Sequence, residues 1–152
     1  MNTVLFVCLG NICRSPMAEA IFRDLLKQEG LESEIRVDSA GIRDWHKGKA
    51  PHEGTQKVLA DHGISWEGIV SRPVTPEDLN DFDWIVAMDE KNRESLKPLP
   101  GGDGKNVYLL TEFISGNDYD GVPDPFHTGK FAEAFEWIEA GCRGLLTYVK
   151  NE

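Results

Sequence analysis

Eight residues near the N-terminus, Cys8-Leu9-Gly10-Asn11-Ile12-Cys13-Arg14-Ser15, place a thiol, a guanidinium and a hydroxyl at a spacing suited to anion chemistry. If this stretch curls between a strand and a helix, Arg14 returns toward Cys8. Gly10 permits backbone angles that other residues avoid. The successive N–H groups of Leu9, Gly10, Asn11, Ile12, Cys13, Arg14 and Ser15 then form a nest for an anion. The helix that follows adds free N–H groups and the positive end of its dipole. Arg14 supplies a planar fork matched to two phosphate oxygens. The same field favours thiolate over thiol at Cys8, an ionised nucleophile on the floor of an oxyanion site. Ser15 is placed to hydrogen-bond that thiolate and stabilise it as a leaving group. Taken singly, Cys8 reads equally as an inert strand cysteine and Arg14 as a surface cation. Together, between a strand and a helix, they read as a site. Other phosphate motifs fail: Gly104-Lys105 is followed by Asn106 rather than Ser or Thr, and no G-x-G-x-x-G follows a strand.

The elements that must position this loop follow from the hydrophobic pattern. Val4-Leu5-Phe6-Val7-Cys8 is a continuous apolar run, as expected of a strand buried on both faces. Ser15-Pro16 starts a helix, with Ser15 as N-cap and Pro16 at the first helical position. Its apolar face is Ala18, Ile21, Phe22, Leu25 and Leu26, and Gly30 ends it. Residues 35–39, 84–88 and 107–110 read as further strands. Residues 53–62 and 90–96 read as helices, and residues 40–52 and 115–125 as loops. A last helix runs from about residue 130 to 150, with Phe131, Phe135, Ile138, Cys142, Leu145, Leu146 and Val149 on its core face. The alternation implies an α/β domain: a four-stranded parallel sheet with helices on both faces. In such folds ligands bind at the carboxyl ends of the strands, which is where Cys8 falls.

The chain has 152 residues, 40% hydrophobic and 28% charged, enough to bury the core of one domain and unlike a disordered chain. The net charge of −10 disfavours nucleic acid and anionic membranes as partners. No apolar run reaches the ~20 residues of a membrane span, and the N-terminus does not resemble a signal peptide. Three cysteines without framework spacing suggest a reducing cytoplasm. The four histidines form no metal-ligand pattern.

The segment Cys8-x-x-x-x-x-Arg14-Ser15, with Gly10-Asn11 and Cys13 inside it and Pro16 after it, resembles the phosphate loop of low-molecular-weight protein tyrosine phosphatases. Asp38-Ser39-Ala40-Gly41, Ala87-Met88-Asp89 and Asp124-Pro125 follow in the family's order. The resemblance covers the chain, residues 1–152, as one such domain, and is closest to bacterial members of Gram-positive type. It implies that Cys8 attacks phosphorus and forms a cysteinyl-phosphate, while Arg14 and the loop amides hold the equatorial oxygens. Asp124 then protonates the leaving phenolate and later activates water. No metal or cofactor is implied. Phosphotyrosine proteins are the implied substrates, with phosphate or vanadate as inhibitory anions. The residues alone leave the acid open, because Asp103, Asp118, Asp120 and Asp124 are equally eligible.

The family also implies a reversible disulfide between Cys13 and Cys8; without it, Cys13 is a small apolar loop residue. It implies that Asn11 and Ser39 support the loop. Many relatives brace that Asn with a His, where this chain has Ile69; Arg72 matches, and Pro73 replaces the usual Gln. Asp89 reads either as a supporting group or as a helix cap. Trp45 lies in the loop that walls the pocket in relatives, and reads equally as a core residue. Phe126-His127 replaces a usual Tyr pair. Phe126 keeps an apolar wall, and His127 can titrate near neutrality.

Three rivals share these features. Arsenate reductases on this scaffold relay oxidation through a later cysteine pair, and no cysteine lies between Cys13 and Cys142. Protein-arginine phosphatases carry Thr where this chain has Ile12, and the bulkier apolar Ile12 points to phosphotyrosine. A non-catalytic phosphoprotein-binding module has no use for Cys8, Arg14 and Asp124 together.

Overall fold

The opening apolar run forms β1 (Asn2–Cys8), buried from Val4 onward, in a computed structural model that describes residues 2–104, 106–114 and 121–151. β2 (Ile35–Gly41), β3 (Trp84–Ala87) and β4 (Val107–Leu109) complete a four-stranded sheet in the order β2-β1-β3-β4. Every pairing is parallel, with Phe6 opposite Ser39 and Val86, and Cys8 opposite Gly41. The chain leaves β1 for β2 on one side and later places β3 on the other. The carboxyl end of β1 therefore lies at the switch in strand order, the usual ligand position.

Alternate residues of β1 serve two cores, which is why the strand reads as uninterrupted apolar sequence. Val4, Phe6 and Cys8 enter the larger, built with α1 (Arg14–Gln28), α2 (Glu53–Asp61) and α6 (Phe131–Lys150). Leu5 and Val7 enter the smaller, with Leu79 of α3 (Pro76–Asp81) and Leu96 of α4 (Glu90–Leu96). The α6 stripe from Phe135 to Val149, with Cys142 inside it, is buried as its spacing implies.

The structure corrects several boundaries. α1 begins at Arg14, so Ser15 is not its N-cap. Cys13 holds that position without a side-chain cap bond, and the Ser15 hydroxyl is engaged with Cys8 instead of capping the helix. Pro16 still lies in the first turn, where its missing N–H costs no helical bond. β2 runs on to Gly41, since Ala40 and Gly41 pair with Val7 and Cys8. Residues 115–120 of the expected loop lie outside the described residues. Pro125, expected as the loop's end, instead opens a short helix, α5 (Pro125–Thr128). A 3-10 turn, Leu110–Phe113, and α3 were not anticipated either. α3 is announced by Thr75-Pro76-Glu77-Asp78, a full capping box with Pro at the first position.

Candidate active site

Between β1 and α1 the chain turns its carbonyls outward. Cys8 O, Leu9 O and Ile12 O accept from the N–H groups of Ile42, Arg43 and His52 at 2.9, 2.9 and 2.8 Å. Gly10 O accepts from Ser71 Oγ at 3.1 Å, and Cys13 O from Thr55 Oγ1 at 3.2 Å. Among the described residues, no backbone N–H from Leu9 to Ser15 donates to a protein acceptor. The loop thus keeps its amide donors on the inner side, the arrangement of an anion nest. Gly41 makes the close approach of β2 possible: a Cβ there would lie 3.1 Å from Asn11 N and 2.9 Å from Arg43 O.

Asn11 braces the loop from inside. It adopts φ 53°, a left-handed backbone that Asn tolerates better than most residues. Its Nδ2 donates to Ser15 Oγ at 2.8 Å and to Ser39 Oγ at 3.0 Å, and its Oδ1 accepts from the Arg72 N–H at 3.0 Å. Because Ser15 Oγ accepts from Asn11, its own proton is free to point at Cys8 Sγ, 2.9 Å away. Ser39 in turn donates to Glu19 Oε1 at 2.6 Å. A hydrogen-bonded chain therefore runs from the Glu19 carboxyl through Ser39, Asn11 and Ser15 to the Cys8 sulfur. Ile69 sits in the larger core and makes no part of it. The main chain of Arg72 supplies the bond to Asn11, and the Arg72 guanidinium is held by Asp38 at 3.1 Å and Asp78 at 2.8 Å. Glu19 is only 8% exposed. Burial pushes its carboxyl up to about 7, with Asp38 adding to the shift and Ser39, Arg23 and Arg72 opposing it.

Arg14 is 3% exposed at the mouth of α1. Its Nη1 donates to Asp89 Oδ2 at 2.7 Å and to Val122 O at 2.8 Å, and its Nη2 lies 3.7 Å from Asp124 Oδ2. Burial works against the guanidinium's charge, but Cys8, Asp89 and Asp124 outweigh it and hold the pKa above its ordinary value. Asp89 does both jobs that its position suggested. Oδ2 anchors Arg14, while Oδ1 caps α4 through the Asn92 N–H at 2.8 Å. Gly121 lets its segment bridge to Asp89 and close on this pair: a Cβ there would clash with Asp89 Cβ.

Asp124 caps α5 through the Phe126 N–H at 3.1 Å, which leaves its second oxygen facing Arg14 and, at 3.8 Å, His127 Nε2. Of the other eligible carboxylates, Asp103 is exposed and away from the pocket, and Asp118 and Asp120 lie outside the described residues. A cavity of about 110 Å³ opens above the loop. Cys8, Leu9, Gly10, Ile12, Cys13 and Arg14 form its base, and Trp45, His46, Asp124, Phe126 and His127 its rim. Trp45 (62% exposed) and Phe126 (53%) present apolar faces suited to an aromatic group between them. Cys13 is buried beneath. Burial, then the Cys8 and Asp124 charges, pushes its thiol up to about 12, with Arg14 and Thr55 opposing.

Of the residues that the sequence marked for the base and the walls, all line the cavity except Asn11 and Ser15, which support Cys8 through hydrogen bonds. Ser39 joins them through Asn11. Sequence reasoning missed His46, Glu19 and Asn92. His46 had no signal beyond its place after Trp45. Glu19 stands one helical turn beyond Ser15, and Asn92 three residues beyond Asp89. No group of three potential ligands for a metal ion occurs among the described residues. The arrangement can bind a tetrahedral oxyanion against a sulfur nucleophile, with a carboxyl group at its open side.

The model of the family "low molecular weight phosphotyrosine protein phosphatase" matches residues 3–152. The low molecular weight protein-tyrosine-phosphatase YfkJ of Bacillus subtilis is 50% identical over 153 residues, covering 100% of this chain and 98% of its own. Its crystal structure superposes with a TM-score of 0.96 over 99% of this chain and 96% of that one. The low molecular weight protein-tyrosine-phosphatase PtpA of Staphylococcus epidermidis is 44% identical over 152 residues, covering 100% and 96%. The crystal structure of a drosophila arginine phosphatase, 34% identical, gives a TM-score of 0.87 over 99% and 98%.

Proposed function

Because the chain belongs to the low molecular weight phosphotyrosine protein phosphatase family, we propose that it hydrolyses phosphotyrosine in proteins through a cysteinyl-phosphate. The observation that carries the reading is the placement of Cys8 Sγ, the buried Arg14 guanidinium and the Asp124 carboxylate around one cavity floored by inward amides. In the first step the Cys8 sulfur forms a bond to phosphorus as the phosphorus–aryl oxygen bond breaks. Asp124 gives its proton to the departing phenolate oxygen. Arg14 and the N–H groups of Leu9, Gly10, Asn11, Ile12, Cys13, Arg14 and Ser15 take the charge spread over the three equatorial oxygens. In the second step Asp124 takes a proton from water as that water attacks phosphorus. The Cys8 sulfur leaves as a thiolate, which the Ser15 hydroxyl stabilises.

Ile12, Trp45, Phe126 and His127 would flank the phenyl ring; the half-buried apolar Ile12 supports phosphotyrosine over phosphoarginine. Asn11, Ser15 and Ser39 support the loop. Phosphate and vanadate would compete for the same cradle. All three cysteines are free thiols, which supports a cytoplasmic setting; no helix among the described residues is long and apolar enough to cross a membrane. Cys13 is the thiol that would meet an oxidised Cys8. Peroxide converts the Cys8 thiolate to a sulfenic acid, and Cys13 sulfur displaces its hydroxyl as water to leave a disulfide.

The test is phosphate release from a phosphotyrosine peptide in EDTA and reductant, for the wild type and Cys8→Ser side by side. Release that is lost in the variant is expected. A folded wild type that leaves phosphotyrosine intact and cleaves a phosphoarginine peptide would reassign the substrate; inertness toward both would leave a binding role.

A further inference from the structure

The loop that supplies Trp45 and His46 to the pocket carries a charge opposite to that of the molecule. Residues 42–50 hold Arg43, Lys47 and Lys49 against one carboxylate, Asp44, in a chain of net charge −10. This is the same segment that presents Trp45 and His46 to the cavity. It is fixed to the phosphate loop by the Ile42 and Arg43 N–H groups on Cys8 O and Leu9 O, and to Ser71 by the Gly48 N–H at 2.8 Å. All three cations are exposed, and among the described residues none forms an ion pair. A surface of net negative charge repels an acidic segment everywhere except where local cations reverse the field.

We propose that the exposed, unpaired Arg43, Lys47 and Lys49 on the loop that walls the pocket form a docking rim for acidic residues flanking the phosphotyrosine of a protein substrate. The proposal rests on the phosphotyrosine reading above and adds the class of sequence around the phosphorylated residue. The rim acts on encounter and positioning, while the cradle at Cys8 binds the phosphoryl group whatever its flanks. Discrimination therefore appears in kcat/KM for peptides and is absent for a small aryl phosphate. It is also screened by salt, because exposed charges lose their reach beyond ~10 Å at ~0.1 M ionic strength.

The experiment compares two phosphotyrosine peptides of equal length, one with Asp and Glu on both flanks and one with Asn and Gln in their place. Three enzymes are used: the wild type, Arg43→Gln/Lys47→Gln/Lys49→Gln, and a control with the same charge removed remotely, Lys27→Gln/Arg143→Gln/Lys150→Gln. At low salt the wild type is expected to prefer the acidic peptide by roughly tenfold in kcat/KM, as a few exposed charge pairs allow. The preference should fall toward unity in ~0.5 M salt. The rim variant should lose it while turning over the aryl phosphate like the wild type, which also shows that it is folded. The remote variant should keep it. Equal turnover of the two peptides by the wild type at low salt overturns the proposal alone, as does a preference that survives in the rim variant or is indifferent to salt. Release of phosphate from neither peptide overturns the phosphotyrosine reading and the proposal with it.

Discussion

The substitution Glu19→Gln isolates a carboxyl that the fold holds at an energetic disadvantage. The Glu19 side chain is buried beside β2 and accepts from Ser39 Oγ at 2.6 Å. Its pKa is raised from an ordinary 4.5 to about 7, chiefly by burial. A raised carboxyl binds its proton more tightly folded than unfolded. The stability it contributes is therefore full below pH ~4.5 and is lost as the pH rises through ~7, where the folded state must ionise it. A shift of that size corresponds to about 3 kcal/mol in all, of which roughly 2–3 kcal/mol falls between pH 5 and 8. The glutamine side chain keeps an oxygen for the Ser39 hydroxyl and cannot ionise. The stability gap in favour of the variant should thus widen by that amount from pH 5 to pH 8. In urea unfolding it would be read as about 1 M in the difference between the two midpoints. Taking the difference between the two proteins cancels every other titrating group. A gap that stays constant across pH 5–8 would refute the reasoning, for it would mean that the Glu19 carboxyl titrates as if in water.

The other expected outcomes concern the pocket. Asp124→Asn should slow transfer of the phosphoryl group from phosphotyrosine to Cys8 by about 10²–10³-fold and first-turnover release of a strongly acidic phenol far less; equal slowing of that step for both leaving groups would contradict a role in protonating the leaving oxygen. Asp89→Ala should lower kcat/KM about tenfold, the worth of a hydrogen bond to a charged group, and cost about 1 kcal/mol of stability as a lost helix cap. Asp89→Asn should restore the stability in a urea melt but not the rate, since it caps α4 yet removes the carboxylate charge bonded to Arg14 Nη1; recovery of both would show that the charge is immaterial. Wild type inactivated by peroxide should recover its activity in reductant. Cys13→Ser should not, and equal recovery would remove Cys13 from the protection of Cys8.

The cradle was legible because its chemistry is local. Cys8, Gly10, Arg14 and Ser15 lie within eight residues, and a strand and a helix flank them visibly in the hydrophobic pattern. The helix cap was misplaced for a reason outside local rules: the Ser15 hydroxyl, a good cap by type, is taken by Cys8 and Asn11. Asp124 could not be separated from its neighbours by residue type. Its place beside Arg14 depends on Gly121 and Val122 returning across Asp89, a contact between segments more than 30 residues apart. Glu19 was invisible for a similar reason. A glutamate in a helix reads as a solvated charge, and only the pairing of β2 with β1 brings Ser39 over it. α3 is the opposite case, since Thr75-Pro76-Glu77-Asp78 states its start in local terms.

The central claim is that Cys8 carries the phosphoryl group between substrate and water. Its most direct test is to quench Asp124→Ala into denaturant while it turns over an activated aryl phosphate, and to map the phosphoryl group by peptide mass. With the second step slowed, the group should be found on Cys8, and Cys8→Ser should release no phosphate. A phosphoryl group on any other residue, or undiminished release from Cys8→Ser, would contradict the account.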